Sequence, residues 1–271
     1  LVGAYNGIRA YGLQSGRFSL PKAIECRDLK EMLDHAKSAD LPDDFRIVLT
    51  GSGRVGQGAL EVLKFMKLRG VHKDDFLRMD FPDPVFVHLE VDDYNERIDG
   101  QPFDYDEFVD DATGYQSTFM PFGQRADLFI AGHFWADGSP FLFTREDMRN
   151  PAWSVKVVAD ISCDIDGPVA CTVRPSTIAD PLYGYDPGTE SECALDHPGA
   201  ITVMAVDNLP CELPRDASEG FGRELMEHVI PLLIAGDDDG ILRAASETTL
   251  SGELNAPFAY LADYAAKGAE E

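Results

Sequence analysis

The sequence predicts an α/β protein on a doubly wound parallel sheet, with flanking helices that belong to a second, largely absent domain. Three observations lead there. Short buried apolar runs alternate with helical periodicity along the chain. One of these runs passes straight into a glycine-rich turn and then a helix. The 271 residues, 44% hydrophobic, are ample for a packed core.

Residues 4–16 and 21–38 read as helices, the second with Ala23, Leu29, Met32, Leu33 and Ala36 on one side. Leu41-Pro42-Asp43-Asp44 breaks the pattern. Phe45–Thr50 reads as a buried strand, Gln57 to Arg69 as a helix, and Phe76–Met79 as a second strand ending at Asp80. Residues 82–125 are acidic and aromatic, with Pro82, Pro84, Pro102 and Pro121 as breakers, and read as an insertion with one short helix near Asp104–Asp111. Further strands are expected at Leu128–Gly132, Val155–Ile161 and Ile201–Val206, with a short helix from Arg145 to Met148. Met226–Ala235 and Phe258–Ala266 read as helices. The expected organisation is therefore interdomain helices (1–38), a sheet domain (39–210, insertion 82–125) and a C-terminal helical segment (211–271).

Charge and cysteines exclude several classes. A net charge of −25 lacks the basic face that nucleic acid requires. The acidic stretches Asp92–Glu96, Asp104–Asp111 and Asp237–Asp239 fit a self-repelling soluble surface, or adaptation to high salt. Neither an apolar run of membrane-spanning length nor a signal-peptide pattern is found, so a cytoplasmic protein without a membrane partner is expected. Cys26, Cys163, Cys171, Cys193 and Cys211 have no CxxC spacing, which argues against a disulfide framework or structural zinc. No metal motif is present, and no bound metal is expected.

Gly51, Gly53 and Gly56 fit GxGxxG between a strand and a helix, the setting of a Rossmann-type dinucleotide site. Gly51 would make the tight turn, Gly53 would let backbone approach a pyrophosphate, and Gly56 would let helix and strand pack closely. Arg54 and Val55 complete the loop, Arg54 offering a charge-assisted contact. Asp80 is expected to bind the adenosine ribose and so favour NAD over NADP, although it lies beyond the roughly 20-residue spacing usual for that acid. Asp83 is its rival.

Other candidates have bland and functional readings. His133 follows a strand end and reads as a loop histidine with a structural hydrogen bond, or as a proton shuttle. Cys163, with no evident base nearby, reads as packing. Asp207 is a turn cap or a carboxylate near the nicotinamide ribose. Asp180-Pro181 with Tyr183-Gly184-Tyr185 is a surface loop or a substrate cover, and Trp135 and Trp153 read as packing.

Two more segments carry a resemblance: Ile161-Ser162-Cys163-Asp164 with Ser176–Pro181, and Val206-Asp207-Asn208-Leu209-Pro210-Cys211-Glu212-Leu213-Pro214-Arg215-Asp216-Ala217-Ser218. With the glycine loop, and with a closing Phe258–Tyr264, they resemble the saccharopine dehydrogenase and lysine–ketoglutarate reductase family, of alanine dehydrogenase-like fold. The resemblance covers nearly the whole chain outside 82–125. It implies NAD-dependent oxidation of saccharopine to lysine and 2-oxoglutarate, or the reverse, so an amino-acid substrate. It implies that Gly53, Arg54 and Asp80 hold the cofactor and Phe134 packs near the adenine. Ile161 and the segment Val206, Asp207, Asn208 and Leu209 would flank the nicotinamide, while Ser162, Cys163 and Asp164 would touch the substrate. The family's acid–base lysine and histidine lie in an N-terminal domain that nothing in residues 1–44 matches. The catalytic pair is thus expected upstream of Leu1, which is not a natural start. Alternatives are an alanine dehydrogenase-like or opine-type enzyme, or a non-catalytic NAD-binding subunit. Self-association is left open.

Overall fold

The computed structural model describes residues 1–136 and 138–267. The chain divides into two compact units, Leu1–Pro214 and Arg215–Glu271.

The first unit is built on an eight-stranded sheet, preceded by α1 (Val2–Ser15) and α2 (Leu29–Lys37). Its first strand, β1 (Arg46–Thr50), is buried along its whole length, as a β-branched run covered on both faces should be. The helix α3 (Arg54–Phe65) follows, burying Gly56, Ala59, Leu60, Val62 and Leu63 at helical spacing. Then come β2 (Arg69–Gly70), α4 (Lys73–Arg78) and β3 (Val85–Leu89). A small antiparallel pair, β4 (Asn95–Arg97) and β5 (Tyr115–Ser117), encloses α5 (Tyr105–Asp110). The main sheet resumes after α6 (Met120–Gly123) with β6 (Leu128–Ala131), α7 (Arg145–Met148), β7 (Val157–Asp160), β8 (Leu182–Asp186), β9 (Ser191–Cys193) and β10 (Ile201–Met204).

Strand order is β2-β3-β1-β6-β7-β10-β8-β9. The first six run parallel, β8 runs antiparallel to β10, and β9 pairs antiparallel with β8. The winding direction reverses between β1 and β6. That makes the carboxyl ends of these two strands a topological switch point, where open α/β sheets bind ligands. Alternating side chains feed two cores. Ile47, Leu49, Ile130 and Ala159 face Tyr5, Ile8, Met32 and Leu63. Val48, Val87, Phe129 and Val158 face Phe76, Phe119, Phe122 and Phe143.

The parallel α/β sheet is as the sequence predicts, but several elements differ. The expected 21–38 helix is a 3-10 turn (Ala23–Glu25) and then α2, because Asp28 caps the latter by accepting from Glu31 N at 2.9 Å. The expected strand Phe76–Met79 lies in and just after α4. There Asp74 and Asp75 occupy the first turn, and Phe76 is the one buried side chain. The true neighbour of β1 is β3, inside the segment read as insertion, with Thr50 opposite Leu89. Tyr183-Gly184-Tyr185, read as loop, lies in β8.

In the second unit, α8 (Pro214–Glu224) leads into a π-helical turn (Leu225–Val229), α9 (Ile230–Ala235), α10 (Ile241–Ala245), a 3-10 turn (Ala256–Leu261) and α11 (Ala262–Lys267). Phe221, Met226, Leu233, Ile234, Ile241, Tyr260 and Tyr264 are exposed. Among the described residues no helix is long and apolar enough to cross a membrane.

Candidate functional site

The site forms where β1 and β6 end. Gly51 takes φ +98°, open to glycine at low cost, and a Cβ there would lie 2.3 Å from the Gly132 carbonyl oxygen. Gly56, in the first turn of α3, packs so tightly that a Cβ would fall 1.8 Å from the Gly51 oxygen. Gly53 is the opposite case: a Cβ would meet nothing within 4 Å. The loop thus has a sealed floor and an open upper side. Gly53 is also the N-cap of α3 and brings no side chain to its first-turn N–H groups. Arg54 and Val55 are exposed beside that opening. A helix start that leaves its N–H groups available, below open space, suits a pyrophosphate.

Neighbouring strands fix the loop. His88 on β3 donates from Nε2 to the Gly51 oxygen at 2.7 Å, and Gly51 N donates to the Leu89 oxygen at 3.2 Å. His133, just after β6, shares a 2.8 Å hydrogen bond between Nδ1 and the Thr50 hydroxyl. Its ring packs edge-on against Tyr94, and its Nε2 is buried without a partner. Burial pushes its pKa down to about 4, so the ring is neutral at physiological pH. This is the structural hydrogen bond of the bland reading.

Asp80 does not reach this site. Its carboxylate accepts from Arg46 Nη2 at 2.9 Å and from Arg125 Nη2 at 3.0 Å. Arg46 opens β1, so Asp80 sits at the amino end of the sheet, opposite the glycine loop. The cause is α4, which takes up the residues expected to form the strand. The acid that follows the strand beside β1 is Glu90. It is exposed directly after Leu89, the residue level with Thr50. The apolar, β-branched Val85-Phe86-Val87-His88-Leu89 after Pro84 was the signal for this strand, masked by the acidic run downstream.

The other predicted residues gather at the ends of β7 and β10. Ile161, Ser162, Cys163 and Asp164 form the turn after β7. Ser162 Oγ donates to the His133 carbonyl oxygen at 2.7 Å, and Cys163 Sγ to that of Ala205 at 3.2 Å. Asp160, which closes β7, is buried and accepts from Cys163 N at 3.0 Å and Thr172 Oγ1 at 2.6 Å. Burial raises its pKa to about 6 against the pull of those donors. Burial also lifts the Cys163 thiol to about 11, helped by the nearby Asp160, Asp207 and Asp164, so it stays protonated. Val206 is buried beyond β10 and bridges Ser176, Asp207 and Asn208 are exposed, and Leu209 is half-buried. Phe134 is 91% exposed beside the switch point. All these residues lie within the first unit.

Fold and site together define a Rossmann-type α/β architecture with a glycine-rich loop at its switch point. No family model matches the chain. Among curated proteins it is 26% identical over 216 residues to mouse mitochondrial alpha-aminoadipic semialdehyde synthase, covering 69% of this chain and 23% of that protein. It is 27% identical over 194 residues to the saccharopine dehydrogenase (NAD(+), L-lysine-forming) of Schizosaccharomyces pombe, covering 71% of this chain and 42% of that one. The Neurospora crassa saccharopine dehydrogenase (NAD(+), L-lysine-forming) is 25% identical over 186 residues, 69% of this chain and 40% of its own. The chain is thus a homologue of saccharopine dehydrogenases and alpha-aminoadipic semialdehyde synthases. It spans from under a quarter to under half of these relatives' lengths.

Proposed function

We propose that this chain is the cofactor-binding part of an NAD-dependent oxidoreductase of the saccharopine dehydrogenase type. It would act on the secondary amine of saccharopine, to give lysine and 2-oxoglutarate, or in reverse. The observation that carries the reading is the glycine loop at the switch point: sealed below at Gly51 and Gly56, open above Gly53, with Glu90 directly after the adjacent strand.

In this reading the N–H groups opening α3 and the Arg54 guanidinium hold the pyrophosphate. Glu90 accepts from the adenosine ribose hydroxyls and repels a 2′-phosphate, the role first expected of Asp80. Phe134 offers a ring to the adenine. Ile161, Val206, Asp207, Asn208 and Leu209 border the nicotinamide half, and Ser162, Cys163 and Asp164 face the amino-acid substrate. Bound NAD would supply a hydride acceptor. Hydrolysis of an imine also needs a general acid and base poised near neutrality. His133, neutral with its remaining nitrogen buried, and Cys163, held as the thiol, do not fill those roles.

That last observation favours one second reading, a subunit that binds NAD without turnover. Saccharopine-dependent reduction of NAD, and oxidation of NADH with lysine and 2-oxoglutarate, separate the two. Turnover supports the enzyme reading. NADH binding without turnover in either direction moves it to the binding subunit, and no NADH binding overturns both.

A further inference from the structure

Asp160 ends β7 with both carboxylate oxygens engaged, one by Cys163 N and the other by Thr172 Oγ1. The residue it holds is unusual. Cys163 adopts φ +57°, a left-handed conformation that L-residues other than Asn and Asp rarely adopt. Such a conformation persists only where its surroundings over-determine it, and it concentrates at binding sites. Here the anchors reach three strand ends: the His133 carbonyl after β6, Asp160 on β7 and the Ala205 carbonyl after β10. The turn Ile161–Asp164 is therefore registered against the half of the switch-point crevice that lies away from β1 and β3.

We propose that Asp160 is a positioning residue for the nicotinamide half of the dinucleotide, acting through Cys163 and the Ile161–Asp164 turn. This rests on the dinucleotide reading given above. The adenosine half lies over the glycine loop and Glu90, whereas the hydrogen bonds of Asp160 reach Thr172 and, in the turn itself, the backbone of Ser162 and Cys163. Loss of Asp160 should therefore divide the ligand, sparing one half and releasing the other. A residue that merely stabilised the fold would weaken both halves alike, or neither.

The test compares NADH with ADP-ribose, which lacks the nicotinamide, by fluorescence titration and competition at neutral pH. Wild type is compared with Asp160→Ala, Asp160→Asn and Thr172→Val. Asp160→Ala should weaken NADH about tenfold or more, the scale of one lost hydrogen bond to a charged group, and leave ADP-ribose affinity within about twofold. Asp160→Asn keeps an oxygen for the Cys163 N–H and should recover most of the NADH affinity. Thr172→Val removes the second strut and decides the matter if Asp160→Ala does not fold: a loss confined to NADH supports the proposal. Unchanged NADH affinity in folded Asp160→Ala or Thr172→Val overturns it, as does an equal loss of both ligands. Wild type that binds neither ligand overturns the dinucleotide reading instead.

Discussion

Replacing Asp160 by Asn and His133 by Asn should change the pH dependence of stability in opposite directions. The folded protein raises Asp160 from 3.8 to about 6 and lowers His133 from 6.5 to about 4, burial being the first cause in both. Between those values folded Asp160 holds a proton that the unfolded chain has released, so its contribution falls as pH rises. For His133 the unfolded chain holds the extra proton, so its contribution rises with pH through the same window. At about 1.4 kcal/mol per pKa unit, integration from about pH 5 to about pH 7.5 gives a loss of ~1.5 kcal/mol from Asp160 and a gain of ~2 kcal/mol from His133. The two nearly cancel in the wild type. Each Asn variant removes one titration and keeps a hydrogen-bonding side chain. Urea unfolding at both pH values reads the difference from wild type. Asp160→Asn should gain ~1.5 kcal/mol relative to wild type over that rise in pH, and His133→Asn should lose ~2 kcal/mol. Difference curves that are flat, or that slope the same way, would refute the burial argument for both groups.

Other expectations follow from the site. Gly56→Ala places a methyl 1.8 Å from the Gly51 oxygen, so the loop must open; lowered melting temperature and lost NADH binding should appear together, and intact binding would mean the loop is not the site. Arg54→Ala should weaken NADH by about 1.5–3 kcal/mol, the range for charge-assisted hydrogen bonds, measured by titration; unchanged affinity leaves Arg54 in solvent. If the charge of −25 reflects salt adaptation, the melting temperature should climb steeply into molar KCl, and a flat curve would assign it to solubility alone.

The strand–loop–helix unit was readable because each level agreed. Phe45–Thr50 is continuously apolar or β-branched apart from Arg46, the glycines follow at the required spacing, and Ala59, Leu60, Val62 and Leu63 line one helix face. The neighbouring strand was misplaced because Phe76-Leu77-Arg78-Met79 has strand-like length and composition. Its helical state is decided by what lies before it: His72 accepts from Asp74 N at 3.3 Å, and two aspartates fill the first turn. For that reason Asp80, expected beside the glycine loop, lies at the opposite end of the sheet, paired with Arg46. Asp160, and Thr50 as the partner of His133, escape the sequence for a different reason. Their roles come from burial and long-range hydrogen bonds, which local pattern does not encode. The left-handed Cys163 was equally hidden, since glycine is the usual sign of such a backbone. The antiparallel β8 and β9 were passed over because Gly184 and Pro187 read as loop punctuation.

The most direct test of the central claim is paired titration of NADH and NADPH against wild type, Glu90→Ala and Asp80→Ala. Wild type should bind NADH more tightly than NADPH, Glu90→Ala should erode that preference, and Asp80→Ala should leave it unchanged. Equal affinities in wild type, or a preference that survives Glu90→Ala and is lost in Asp80→Ala, would contradict the claim.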